Sequence, residues 1–369
     1  MTIKQSIKAT LNKSVHVELV ETDTLQINDS QMTSTGSART EGLVQHCLNA
    51  LHSPVVCYAP RGERGFTIVE FMVASTIALL ILISVSAMFV TSLSSEITIA
   101  SASEISTNGR YAIEILRRDL LHAGYRGLTW APPSIPTTTI GAVTGDCATG
   151  FSINLSQGVW GSNDANPFSA TCIPSANYST GDVLVVRHAA LTITPLEPNK
   201  LYVRSAYERG EVFMASSPPS SPQPPLFTQT PNVDYALEST VYYVSPFSSS
   251  VTENPRIPGL YRLALSAGPA LTPTLMASNV EDMQIQYGRF TTDLNTQFYN
   301  ADSISATVTP SQWNDVSTVR VWILVRATKP EPGYRNTTTF TLGDKTIPPN
   351  PDDHYRREVF STVIRLRNM

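Results

Sequence analysis

The longest apolar run of the chain extends from Phe71 to Val90 and contains no charged residue. A helix of about 20 apolar residues can cross the roughly 30 Å hydrocarbon core of a bilayer, so the run predicts a membrane-spanning helix. Arg61 and Arg64 precede it, and the next basic residue after it is Arg110. Because basic residues stay on the cytoplasmic side, we expect a cytoplasmic N-terminus and an extracytoplasmic remainder.

The helical pattern is expected to continue past the membrane to His122, because no proline occurs from Ser92 to Ala123. Apolar residues recur at helical spacing near its end, at positions Ala112, Ile115, Leu116, Leu120 and Ala123. Gly124 and Gly127 then provide stop signals. Serine and threonine are frequent between Thr91 and Thr107, so we expect the middle of the helix to be weaker than its ends.

Beyond Gly127, short apolar and alternating stretches predict strands that form one antiparallel set. The predicted strands are Asp182–His188, Leu201–Arg204, Glu211–Met214, Thr240–Val244, Leu260–Leu265, Val280–Gly288, Thr318–Arg326, Thr337–Leu342 and Val359–Leu366. The continuous apolar end of Thr318–Arg326 favours a central position. Residues 128–180 are expected to form a long, partly structured loop region, and Ser216–Pro225 an exposed loop. The pattern as a whole predicts an α+β fold, with one long N-terminal helix packed on a loop-rich antiparallel β head.

The composition and motifs of this 369-residue chain limit the classes of function that we expect for it. Its net charge of −4 gives no general basic surface for nucleic acid, so no nucleic-acid partner is expected. The sequence contains no nucleophile elbow, phosphate-binding loop, zinc-protease motif or cysteine–histidine cluster. We therefore expect no enzyme activity, no cofactor and no metal site.

Two of the four cysteines, Cys147 and Cys172, lie beyond the predicted span, in a compartment that the topology makes oxidising. An even pair there predicts a disulfide that closes a loop of about 26 residues and stabilises the fold by roughly 3 kcal/mol. Two unpaired buried thiols are the alternative.

The residues just before the apolar run form a motif of their own. Arg64 and Gly65 are followed by Phe66, and Glu70 is the fifth residue after Gly65. This order resembles the processing site of type IV prepilins and pseudopilins. The resemblance implies cleavage between Gly65 and Phe66, methylation of the new amino terminus at Phe66, and pairing of the Glu70 carboxylate with the terminal amine of a neighbouring subunit. An ordinary single-pass anchor, with Glu70 at the membrane interface, is the alternative.

Cleavage at this site divides the chain into four parts. Residues 1–65 are leader, 66–90 the membrane-spanning first half of the helix, 91–124 its extracytoplasmic second half, and 125–369 the head. The leader is longer than is usual for prepilins. Either the start codon is assigned too far upstream, with the true start near Arg61, or the leader is a mostly disordered cytoplasmic extension.

Four further segments resemble the PilW family of minor pilins in the type IV pilus. They are Asn108–Tyr125, Val280–Gly288, Val319–Arg326 and Asp353–Asn368. The resemblance implies a single-pass inner-membrane subunit with a periplasmic head, which enters the pilus and helps to prime its assembly near the fibre tip. A strain without it is then expected to lose surface pili or twitching motility.

The implied partners are other minor pilins, the major pilin, the prepilin peptidase, the inner-membrane assembly platform and, before assembly, membrane lipid. Two other functions remain open at this point. One is a J-like pseudopilin of type II secretion, which shares the anchor. The other is a tip adhesin or ligand-binding module, suggested by the loop-rich residues 128–180.

Overall fold

The computed structural model describes residues 65–129, 140–207, 210–218, 233–290, 295–305 and 311–369. This part of the chain contains one long helix, thirteen strands and three short 3-10 helices. The chain divides into two units, residues 1–73 and 74–369. The predicted leader before Gly65 and most of Ser216–Pro225 lie outside the described residues, so both remain predictions.

Helix α1 runs from Ile68 to His122. It begins two residues later than expected. It ends before Gly124, whose φ of +76° lies in the left-handed region that favours glycine after a helix. The serine- and threonine-rich middle is helical throughout, and several of its hydroxyls donate to carbonyl oxygens of the preceding turn. Thr91 Oγ1 donates to the Ala87 carbonyl at 2.9 Å, for example.

The strands form three antiparallel sheets. The strands are β1 (Val159–Ser162), β2 (Val183–Ala189), β3 (Leu201–Ser205), β4 (Gly210–Met214), β5 (Val233–Ser245), β6 (Gly259–Ser266), β7 (Ala270–Ser278), β8 (Val280–Phe290), β9 (Thr296–Tyr299), β10 (Val316–Arg326), β11 (Phe340–Leu342), β12 (Lys345–Ile347) and β13 (Arg357–Arg365). The large sheet has the order β1-β2-β5-β3-β4, with β6 paired to β5 and β7 to β6. The small sheet has the order β13-β10-β8-β9, and β11 and β12 form a hairpin.

The predicted strands are all present with shifted ends, but they divide among these sheets instead of forming one set. The central position of β10 is confirmed, since it lies between β8 and β13. The pattern missed β1, β7, β9 and β12. Strand β7 contains Pro273, which an edge strand tolerates because one side of its backbone needs no partner.

The main core lies between α1 and the two sheets. From α1 it takes Ile105, Ala112, Leu116 and Leu120, and Ala123 follows directly after the helix; each is at most 1% exposed. The facing strands contribute Leu184, Val186, Tyr242, Val244, Met283, Ile285, Val319, Val321, Ile323 and Ile364. The helical spacing therefore identified the buried face correctly except at Ile115, which is only half-buried.

The other face of the large sheet is covered by the chain between Asp146 and Tyr178. Phe168 and Ile173 from this segment share a buried cluster with Val185, Val241 and Tyr243 of the sheet. A disulfide joins Cys147 to Cys172 within the same cluster. The described part of the expected loop region thus contributes to the core, and it also contains strand β1, which pairs with β2.

Candidate assembly site

The candidate processing residues lie immediately before α1. Gly65 and Phe66 are non-helical and exposed, and the Phe66 side chain is 88% exposed. A Cβ atom on Gly65 would meet nothing within 4 Å. The backbone at this position is therefore open to approach by another molecule, as cleavage requires.

Glu70 lies in the first turn of α1 and forms a reciprocal cap with Thr67. The Thr67 backbone N–H donates to Glu70 Oε2 at 2.9 Å, and the Thr67 hydroxyl donates to the same oxygen at 3.0 Å. The Glu70 backbone N–H in turn lies 3.2 Å from Thr67 Oγ1. This is the capping-box arrangement, which satisfies backbone donors that a helix start leaves unpaired. It explains why α1 begins at Ile68, and it gives Glu70 a local role that the sequence reasoning missed.

The apolar residues that follow Glu70 do not contribute to the core. All large apolar side chains from Phe71 to Val90 are at least 52% exposed. Helix α1 is long and apolar enough to cross a membrane, and none of its most apolar window is buried. An exposed apolar surface of this size is typical of a segment that contacts lipid or other helices.

The second half of α1 is joined to the head by a polar contact at Glu104. Its Oε1 accepts a hydrogen bond from Asn279 Nδ2 at 3.1 Å and another from the Thr328 hydroxyl. Asn279 is 1% exposed and has a φ of +67° at the junction of β7 and β8. Glu104 therefore bonds the β7–β8 turn and the segment just after β10 to the helix.

A second polar contact lies closer to the membrane-side half of the helix. The Thr98 hydroxyl donates to Glu331 Oε1 at 2.6 Å. Arg356 binds the same carboxylate with both Nε and an Nη atom, at 2.9 and 3.1 Å. The bond from Arg356 lowers the pKa of Glu331, which keeps this carboxylate charged.

Gly109 permits a close approach between helix and sheet. A Cβ atom at this position would lie 2.3 Å from ring carbons of Phe360 on β13. A glycine inside a predicted helix is the signal that indicates such an approach in sequence. At the end of the helix, Asp119 accepts hydrogen bonds from the hydroxyls of Tyr242 and Thr240 on β5.

A buried carboxylate lies where the large and small sheets meet. Asp182 is fully buried and accepts the backbone N–H groups of Ile285 at 2.7 Å and Asp164 at 2.9 Å. Burial raises the pKa of Asp182 to about 7, against the opposing effect of these hydrogen bonds. Nearby, Lys345 Nζ lies 2.7 Å from both Asp282 and Asp164, so this charge ties the β11–β12 hairpin to the sheets.

Within the described ranges, no group of three or more histidine, cysteine, aspartate or glutamate side chains is arranged to hold a metal ion. Of the site residues expected from sequence, the structure brings together Cys147 and Cys172, and it places Gly65, Phe66 and Glu70 around one helix start. The processing and pairing roles of the latter three remain predictions.

Comparison with known proteins identifies the C-terminal part of the head. Residues 241–368 match the family described as type IV pilus-assembly protein W, PilW. No curated protein matches the chain. Among solved structures, a type IV-like pilin from Thermus thermophilus is similar, with 16% identity and a TM-score of 0.31 over 72% of this chain and 96% of that one. The resemblance to PilW is thus confirmed over residues 241–368, and it supports a pilin-type role in pilus assembly.

Proposed function

We propose, from the match of residues 241–368 to the PilW family, that this chain is a minor pilin that is processed before Phe66 and helps to prime type IV pilus assembly near the fibre tip. The observation that carries the proposal is the exposed apolar half of α1, whose polar start contains Glu70 and whose second half is packed into the PilW-like head.

The exposed apolar surface of α1 suits the subunit both to the membrane and to the assembled fibre. In the membrane, the exposed side chains between Phe71 and Val90 contact lipid. In a fibre, they contact the helices of neighbouring subunits. One apolar environment replaces the other, so the transfer has a small free-energy cost, and contacts between polar groups at the helix start determine the register.

Glu70 is proposed to supply that register. A carboxylate at the edge of an apolar span raises the free energy of the membrane or fibre state unless it pairs with a cation. In the isolated chain its partners are the backbone N–H and the hydroxyl of Thr67, just before the same helix. In the fibre, the methylated amine of Phe66 on the adjacent subunit is the proposed partner. The adjacent subunits in the fibre are proposed to be other minor pilins and the major pilin.

Processing and location complete the proposal. The prepilin peptidase cuts between Gly65 and Phe66 on the cytoplasmic side of the inner membrane, and the head remains in the periplasm. The assembly platform in the inner membrane then receives the processed subunit, which leaves lipid for the base of the growing fibre.

The experiment uses substitutions that separate the charge of Glu70 from its capping role. Each variant replaces the native gene, and surface pili and twitching motility are measured. Glu70→Gln keeps an oxygen and an amide that can still form a capping box, but it removes the charge. Thr67→Ala removes the hydroxyl bonds of the cap and keeps the charge. We expect Glu70→Gln to lose pili and twitching while the protein still accumulates in the membrane, and Thr67→Ala to retain both.

Two results would contradict the proposal. Wild-type piliation in a strain that lacks the gene would exclude a role in priming. Wild-type piliation with Glu70→Gln, combined with a defect in Thr67→Ala, would show that Glu70 acts only as a helix cap.

A further inference from the structure

Strand β13 forms one edge of the small sheet. It pairs with β10 over nine residues, from Arg357 to Arg365, with no register shift. No described strand pairs with its other side. Several of its side chains are exposed, and Val363 is 57% exposed.

The bonds at the two ends of this pairing show which backbone groups face outward. The Leu366 N–H donates to the Ser317 carbonyl at 2.8 Å, and the Ala327 N–H donates to the Arg356 carbonyl at 2.8 Å. Residues of an antiparallel pair alternate between bonding their partner strand and pointing away from it. The even-numbered residues of β13 therefore bond β10, and the odd-numbered residues from Val359 to Arg365 present their N–H and C=O groups to the open edge.

The other sheet edges in the described part of the chain are short or protected. Strands β1 and β9 have four residues each, and β4 has five. Strand β7 has nine residues, but Pro273 lies in its middle and its pairing with β6 has a register shift. Proline, bulges, short length and charged side chains are the usual protections against edge-to-edge pairing. Strand β13 is long and has no proline or bulge, and its charged residues, Arg357, Glu358 and Arg365, lie at its two ends. The edge between them is therefore suited to accept another strand.

A groove runs beside the C-terminal half of this edge. Its volume is about 560 Å³, and it is lined by Arg117 and Leu121 of α1 and by residues 363–367. Three of the lining side chains are the exposed arginines Arg117, Arg365 and Arg367. Arg117 has one weak contact, 3.6 Å to Glu114, in which both side chains are about half exposed. No ion pair involves Arg365 or Arg367 among the described residues.

We propose that the open edge of β13, with this groove, binds an extended acidic segment of another protein, which adds a fifth strand to the small sheet. Backbone hydrogen bonds to the outward groups of Val363 and Arg365 provide affinity, and the arginines select the sequence. The proposal does not depend on where in the fibre the subunit lies.

The positions of the arginines specify the partner further. Arg365 faces the side of the sheet that carries its cross-strand neighbour Thr318, whereas Arg117 lies on α1, which packs against the opposite side. Consecutive residues of a strand point to opposite faces. Two adjacent carboxylates in the added strand can therefore contact Arg117 and Arg365 at the same time.

The test captures the segment in living cells. A photoreactive amino acid replaces Ser361, an exposed residue of β13, in the full-length protein, and the crosslinked peptide is sequenced by mass spectrometry. We expect one segment of another envelope protein that contains adjacent acidic residues. Val363→Pro removes an outward N–H and keeps the bonds to β10, so we expect it to reduce the crosslink about tenfold or more. Val363→Thr keeps the N–H and is expected to leave the crosslink unchanged.

A second variant keeps the test decisive if Val363→Pro does not accumulate in the membrane. Arg117→Glu combined with Arg365→Glu reverses two exposed charges and should also reduce the crosslink about tenfold. The proposal is overturned if the crosslink survives both changes, if it forms only with a second copy of this chain or with lipid, or if no crosslink forms in piliated cells.

Discussion

At the residue scale, the buried Asp182 carboxylate makes the stability of the head depend on pH. Its burial raises its pKa to about 7, whereas the ordinary value is 3.8. Between these two pH values the folded state binds more protons than the unfolded state, so stability falls as the pH rises. The contribution of Asp182 to stability is complete below about pH 4 and is lost as the pH rises through about 7.

Asp182→Asn is therefore expected to remove this dependence. The free energy of unfolding of the wild type should fall by up to about 4 kcal/mol relative to the variant between pH 4 and pH 8, since one pKa unit corresponds to about 1.4 kcal/mol. Denaturation of the detergent-solubilised full-length protein at each pH measures this free energy of unfolding. Asp302→Asn, at an exposed carboxylate, serves as the control and should follow the wild type. Parallel curves for the wild type and Asp182→Asn would contradict the assignment.

At the element scale, the polar contacts of α1 fix the helix to the head. Glu104 is the central example, because it binds Asn279 at the junction of β7 and β8 and also Thr328, which lies just after β10. Removing its carboxylate leaves the Thr328 hydroxyl proton without its acceptor and the Asn279 amide with only its bond to Thr328. A buried polar group that loses its partner costs about 1–3 kcal/mol.

Glu104→Ala should accordingly lower the free energy of unfolding by about 1–3 kcal/mol and expose the second half of α1 to limited proteolysis. Glu114→Ala is the matched control on the same helix. Its ion pair with Arg117 is solvent-exposed, so it should change stability by less than about 0.5 kcal/mol. Equal effects of the two substitutions would show that the contact of Glu104 with the head does not stabilise the fold.

At the scale of the whole molecule, the disulfide between Cys147 and Cys172 holds the segment that covers the large sheet. The sequence separation of 25 residues predicts a loss of about 3 kcal/mol when both are replaced by serine, because the unfolded chain gains freedom. Thermal unfolding with and without a reductant measures this loss. The wild type should become less stable on reduction and the double variant should not. A wild type unaffected by complete reduction would contradict a stabilising role.

The sequence predicted the architecture well because its signals were local. An apolar run, a helical spacing and a glycine stop are properties of neighbouring residues, and they located α1 to within two residues at its start. The cap of Glu70 by Thr67 is local too, and the spacing of the two residues was available in the sequence.

Other features depended on contacts between distant residues, which one sequence does not reveal. The division of the strands into a large and a small sheet depends on pairings such as β2 with β5. The role of residues 146–178 as a cover for the large sheet depends on Phe168 and Ile173 reaching strands far along the chain. The open edge of β13 likewise appears only once the order of the strands is known.

The mass of the intact N-terminus of the membrane-extracted protein tests most directly whether this molecule is a processed pilin subunit, as we propose. We expect a chain that begins at Phe66 and carries one added methyl group. A chain that begins upstream of Phe66, in a strain with an active prepilin peptidase, would contradict the proposal and leave α1 as an ordinary membrane anchor.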